Sequence, residues 1–293
     1  MKPPARQTDT GVVLINVLVI LAIASVVVFL MLSSQEQSLQ RAQTMAQTTT
    51  ANALARGAEA SAVTALRRDM LKAPETDNYA ESWAQVDQQQ ATLAVGTLTV
   101  TLRDAQAKLN LTRLAGGAQN EVQALLRVLA ELNISRAEGA GIAAEIAARP
   151  GLKTLSDLQG IAPATRTQLD PYVGFLPSQA QLNLNTADPL LLRAVLNNNS
   201  AALRLVQRRS AKGLLTAEDI TLVGAAVPGM AGFTSQNFDV QTVVKINDLT
   251  LTLTSRVQRS QNLAGQSVRV VSRAYGVPLN SVPPLPPTLL PTP

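Results

Sequence analysis

The sequence predicts an α+β protein: a long N-terminal helix that starts inside a membrane, an antiparallel sheet, and a large all-α domain inserted between strands of that sheet. Three observations predict it. An uncharged apolar run from Val12 to Leu32 passes into a polar, proline-free stretch with helical periodicity. Period-two alternation appears near residue 100 and returns only beyond residue 237. Between those blocks the chain is leucine-rich and punctuated by helix caps.

Residues 1–11 carry Lys2 and Arg6 against Asp9 and end in Gly11. The run that follows, VVLINVLVILAIASVVVFLML, is interrupted only by Asn16 and Ser25. As a helix rising about 1.5 Å per residue it reaches about 30 Å, the thickness of a hydrocarbon core. The positive leader predicts a cytoplasmic N-terminus and an exported body. A secretory signal ends in an A-x-A-like cleavage site. Here Ala22 to Ala24 lies inside the run, which disfavours ordinary cleavage and leaves two readings, an uncleaved signal-anchor and a segment cut after Gly11.

From Ser33 to about Leu71 a thin stripe continues the helix: Leu39, Ala42, Met45, Ala46, Ala53, Leu54, Ala58, Ala62, Leu66 and Met70. Pro74 disfavours helix in the residue before it and sets the end near Ala73. Sixty residues of helix would extend about 90 Å.

Hydrophobic residues make up 46% of the chain and aromatics 3%, so alanine and leucine fill the core. The net charge of +5 permits contact with acidic partners without requiring it. With no Cys and no His, the chain excludes thiolate nucleophiles, disulfides, Cys/His zinc sites and a Ser-His-Asp triad. Nor is there a P-loop, an EF-hand or a G-x-S-x-G string. The case for an enzyme is weak on these grounds.

Thr97 to Arg103 reads as a strand with Leu98, Val100 and Leu102 on one face. Its expected partners are FDVQTVVKI, LTLTLTSRV and SVRVVSRAYG, turned at Asn247-Asp248 and at 262–266. Trp83 and Tyr79 are expected to pack in the core, and residues 278–293 form a proline-rich, extended tail. In the helical region, LNLTRLA at 109–115 matches LNLNTAD at 182–188, and GLKTLSDL at 151–158 matches GLLTAEDI at 213–220, which suggests an internal duplication. Thr186, Asp188 and Pro189 make a strong helix start.

The string LNLNTADPLLLRAVL, with RRSAKGLLTAEDI after it, resembles a helix-hairpin-helix module of the kind that binds DNA phosphates through hairpin glycines. One hairpin position reads Asn197-Asn198-Asn199-Ser200 and the other Val223-Gly224-Ala225-Ala226, so most of those glycines are missing. Arg204, Arg208, Arg209 and Lys212 remain as candidate phosphate contacts, or as a solvated face.

A short basic leader, Gly11 and an apolar helix resemble the type IV prepilin class, and the non-Glu fifth residue and inserted helical lobe narrow this to the K-type minor pseudopilins of type II secretion systems. The resemblance implies cleavage by prepilin peptidase after Gly11 and N-methylation of Val12. In that class a Glu five residues after the cut neutralises a neighbour's ammonium, since an unpaired charge in lipid is costly. Asn16 stands there and cannot do so, which implies the tip position. Leu14, Leu18, Ala22, Ala24 and Ser25 are expected to make helix–helix contacts.

The implied partners are I-, J- and H-type minor pseudopilins, the major pseudopilin, the prepilin peptidase, the inner-membrane assembly platform and membrane lipid, with no nucleic acid. Calcium is implied for some relatives; Asp104, Glu121, Asp157, Asp170, Asp188, Glu218 and Asp219 form no loop-ligand pattern, so no metal site is assigned. The expected division is leader 1–11, spine 12–73, first part of the pilin domain 74–104, helical domain 105–232, remaining strands 233–277 and tail 278–293. The body would lie in the periplasm. A membrane-anchored DNA receptor and a minor type IV pilin are the competing readings.

Overall fold

The computed structural model describes residues 10–86, 88–115, 118–262 and 265–279. The leader residues 1–9 and the tail from 280 onward lie outside the described residues. In chain order the elements are α1 (Thr10–Lys72), β1 (Gln88–Leu93), β2 (Gly96–Asp104), β3 (Leu109–Asn110), α2 (Gln119–Glu131), α3 (Arg136–Ala148), α4 (Pro163–Leu169), β4 (Val173–Gly174), β5 (Leu182–Asn183), α5 (Pro189–Leu196), α6 (Asn199–Lys212), α7 (Ala217–Leu222), β6 (Ala231–Gly232), β7 (Asn237–Ile246), β8 (Leu249–Asn262) and β9 (Gly265–Tyr275). Two compact units meet within α1, residues 1–52 and residues 53–293.

Helix α1 is continuous for 63 residues and ends two positions before Pro74. Its many hydroxyls do not break it, because most turn back onto the preceding turn. Thr44, Thr48, Thr49 and Thr50 donate to the carbonyls four residues earlier at 2.8–3.0 Å. From Leu14 to Leu32 every apolar side chain is exposed, and this helix is long and apolar enough to cross a membrane.

In the second unit, Ala58, Ala62, Leu66 and Met70 of α1 face one side of a five-stranded antiparallel sheet in the order β1-β2-β7-β8-β9. The registers Leu102 to Val240 and Phe238 to Val257 align the inward residues into rows. Trp83 and Phe238 are wholly buried and meet edge-to-face at 5.2 Å, the preferred geometry of an aromatic pair. Small alanines on α1 let the helix approach these rows closely, which suits a chain with few aromatics. Asn247, with φ of 52°, and Asp248 form the two-residue turn between β7 and β8.

Strand β1, which the sequence pattern did not reveal, forms a hairpin with β2. Its QQQATL lacks alternating apolar residues. Gly96 in that hairpin has a steric reason: a Cβ there would meet the Lys245 carbonyl oxygen at 2.1 Å.

The lobe between β2 and β7 is mainly helical, with one continuous leucine core that includes Leu111, Leu125, Leu129, Leu184, Leu192 and Leu205. It also carries two parallel pairs, β3 with β4 and β5 with β6, of two residues each. Two residues cannot display a period, so the expectation of an all-α insertion passed over them. The matched motifs occupy matching places. Asn110 and Asn183 each start a repeat and accept the backbone N–H two residues on, at 3.1 and 2.9 Å. Thr154 with Asp157, and Thr216 with Asp219, form reciprocal capping boxes ahead of short helical turns.

Candidate functional site

The residues singled out for assembly lie on the first half of α1. Gly11 and Val12 are helical, but their side chains lie outside the described residues. At 100° per residue, Leu14, Leu18, Ala22 and Ser25 share one face, Ala24 flanks it and Asn16 points away from it. All six are exposed, and the Ser25 hydroxyl donates to the Leu21 carbonyl at 2.8 Å, so it presents little free polarity to lipid. Within the apolar run the one amide side chain, Asn16, stands apart from the face of Leu14, Leu18, Ala22 and Ser25.

A second locus, absent from the sequence expectations, joins the sheet to the lobe. The chain enters the lobe at Asp104 and leaves it just before β7, and polar side chains gather where these two crossings meet. Asp104 is buried; its carboxylate accepts from the Gln106 N–H at 2.8 Å, the Asn183 amide at 3.0 Å, the Ser235 hydroxyl at 2.6 Å and the Thr186 hydroxyl. Asn183 also donates to the Asp77 carbonyl and to Ser235 Oγ, both at 2.9 Å. Gln106 reinforces the joint by donating to the Gln181 carbonyl at 2.8 Å and accepting the Gln236 N–H at 2.7 Å.

Beside this lies Arg259 of β8, buried and stacked 4.6 Å from the centre of the Phe238 ring. It pairs with Asp69 at 3.1 Å and with Asp77. Glu81 completes an acidic group in which Asp69, Asp77 and Glu81 offer oxygens within 4.8 Å of one another. Glu81 accepts the Asn78 amide at 2.6 Å and the Trp83 indole N–H at 2.9 Å. Burial pushes Asp69 and Asp104 up to about 6 and Glu81 up to about 7, and it also raises Asp77. The signal for this locus was Arg259 itself, which occupies an inward position after Leu253, Ser255 and Val257 in an alternating strand. A buried guanidinium requires acceptors, acids or carbonyls, to satisfy it.

Five of the carboxylates named above are engaged with donors in the protein. Glu121 pairs with Arg113 at 2.9 Å, Asp188 caps α5, Asp157 and Asp219 cap their turns, and Asp104 is saturated by the donors named above. Among the described residues, the one close group of three carboxylates lies outside the lobe, and Arg259 already occupies it.

The basic residues of the hairpin region each have partners within the protein. Arg209 is buried and donates to the Leu184 and Ala187 carbonyls at 2.7 Å. Arg204 donates to the Val223 carbonyl at 2.9 Å, while Arg208 and Lys212 pair with Asp219, holding that carboxyl far below its usual range. Asn197 takes the left-handed position at the end of α5, with φ of 51°, where a phosphate-binding hairpin would offer glycine.

No family model matches the chain. It is 24% identical to the type II secretion system protein K of Pseudomonas aeruginosa, over 92% of this chain and 94% of that protein. Its fold matches a chain in the crystal structure of the GspK-GspI-GspJ complex from the enterotoxigenic Escherichia coli type 2 secretion system. The TM-score is 0.64 at 20% identity, over 81% of this chain and all of that one. Sequence and fold thus agree with the resemblance: this chain is similar to a type II secretion system protein K and shares the fold of a chain in the GspK-GspI-GspJ complex.

Proposed function

We propose that this protein caps the tip of the periplasmic pseudopilus of a type II secretion system, and that it helps initiate pseudopilus assembly and the export of folded proteins across the outer membrane. Prepilin peptidase cuts after Gly11, Val12 is N-methylated, and α1 holds the protein in the inner membrane with its body in the periplasm. The I- and J-type minor pseudopilins bind it, and the H-type, the major pseudopilin and the assembly platform act with it. Its work is assembly, not catalysis, and no metal or cofactor is assigned to it.

The observation that carries this reading is the lobe between Asp104 and Asn237. Bulk of that size at every position would obstruct lateral packing along a filament, whereas at the end it has room. Asn16 supports the same place, because a terminal subunit has no earlier ammonium to neutralise. The similarity to a protein solved with I- and J-type partners supports the assignment of those partners.

The test is the N-terminal sequence and mass of the protein recovered from membranes with and without prepilin peptidase, followed by co-purification with I- and J-type partners. An N-terminus at Val12 and a stoichiometric complex are expected. An intact Met1, or a failure to associate, would overturn the reading.

A further inference from the structure

We propose that the proline-rich segment from Asn280 onward straps the lobe to the sheet, lying in the cleft between them on the sheet face opposite α1. The described chain already leads there. Strand β9 extends its ladder to Gly276, whose N–H donates to the Thr252 carbonyl at 2.9 Å. Gly276 then takes φ of 72°, and the chain doubles back over β8. The Val277 carbonyl accepts from the Thr254 hydroxyl at 2.5 Å, although Thr254 lies in register with Ala274. Thr254 alternates with Ser255, which bonds Glu59 of α1, so Thr254 faces away from that helix. Val277, Pro278 and Leu279 thereby enter the wall of a cleft of about 420 Å³, bounded also by Arg256 of the sheet and by Leu155 and Phe175 of the lobe.

The chemistry of the cleft suits an uncharged occupant. Three cations of its wall are already engaged: Arg256 pairs with Asp239, Arg273 pairs with Glu59 at 2.8 Å, and Lys108 donates to the Asp170 carbonyl at 2.9 Å. Val277 stands 52% exposed in the same wall, apolar area that a covering segment would remove from water. The sequence that follows Leu279 is NSVPPLPPTLLPTP, fourteen residues with six prolines and no charged side chain. Proline has no N–H to leave unpaired against such a wall, and its fixed φ lowers the entropy lost on docking. At about 3.1 Å per residue in an extended proline helix, Leu285 reaches about 19 Å beyond Leu279. The strap adds a tie between lobe and sheet to the two chain crossings. It is independent of the tip reading, because it concerns only how the chain holds its own lobe.

The test is disulfide trapping in the full chain in detergent micelles. The chain has no Cys, so an engineered pair reports contact without background. Under mild oxidation, read on non-reducing gels, Leu285→Cys should bond within the chain to Lys153→Cys, an exposed position lining the cleft. It should do so about tenfold faster than to Glu218→Cys, exposed on α7, because docking raises the local concentration at the cleft alone. Equal rates to the two positions, or bonds formed only between chains, would overturn the strap. A second readout needs no cysteine. Ending the chain after Leu279 should speed hydrogen exchange of the amides in 151–155 and 173–176 about tenfold, while α2 and β7 keep their protection. Exchange there that is unchanged by the truncation, or that rises uniformly over the whole chain, would also overturn it.

Discussion

Asp104 and Asn183, 79 positions apart, hydrogen-bond at 3.0 Å with both side chains buried, and this contact ties the last residue of a sheet strand to the first strand of the lobe's second repeat. The same asparagine type at the first repeat, Asn110, spends its amide within the lobe, on the Pro177 carbonyl at 2.8 Å. One copy of the motif therefore builds the lobe, and the other attaches it.

Removing either partner leaves buried donors or an acceptor without a mate. Asn183→Ala and Asp104→Ala should each lower stability by about 1–3 kcal/mol, and the double variant should lose less than the sum. Denaturant unfolding of all three variants checks this; strict additivity would mean that the two groups are not coupled.

Global stability should fall as pH rises from 5.5 to 8. Glu81 near 7 and Asp69 and Asp104 near 6 keep protons that an unfolded chain loses at lower pH. Their contribution is complete below the ordinary carboxylate range and is lost as pH climbs through about 6 to 7. A drop of several degrees in Tm is expected, roughly 2–8 °C, and Glu81→Gln should flatten the profile. A Tm that rises over this interval would contradict the assignment.

The seam between α1 and the sheet depends on a few large groups among alanines. Phe238→Ala, which removes the ring packed on Trp83 and under Arg259, should cost about 3–5 kcal/mol. Leu66→Ala should cost about 2–5 kcal/mol by the same measure. Ala62→Leu should also destabilise, by about 1–3 kcal/mol, because the wholly buried Ala62 leaves no room for a larger side chain. Thermal and chemical unfolding of the three variants reads each value.

Arg209→Ala should destabilise the lobe by about 1–3 kcal/mol, since it strands the Leu184 and Ala187 carbonyls. Arg204→Ala should change stability less, and neither variant should alter retention on duplex DNA, where the unmodified chain is expected to show no specific, salt-sensitive binding. Steeply salt-dependent binding lost in these variants would restore the DNA-receptor reading.

Periodicity alone made the membrane run, the spine and strands β2, β7, β8 and β9 legible, because burial of one face imposes a local rhythm on the residues. The capping boxes at Thr154 and Thr216 and the repeated Leu-Asn openings were legible for a similar reason: each satisfies backbone groups within a few positions. Strand β1, with no apolar alternation, and the two-residue parallel pairs had no such rhythm to show.

The expectations for Gly11 and Asn16 came from the sequence alone, since they rest on a resemblance and on positions just before and within an apolar run. The joint of Asp69, Asp77, Glu81, Asp104, Asn183, Ser235 and Arg259 was decided only by the tertiary structure. Its members are scattered from residue 69 to residue 259, and apart from Arg259, at an inward position of its strand, each reads alone as an ordinary polar residue. Whether an acid is solvated, capped or buried beside one arginine depends on which distant segments the chain crossings bring together, and no local pattern encodes that meeting.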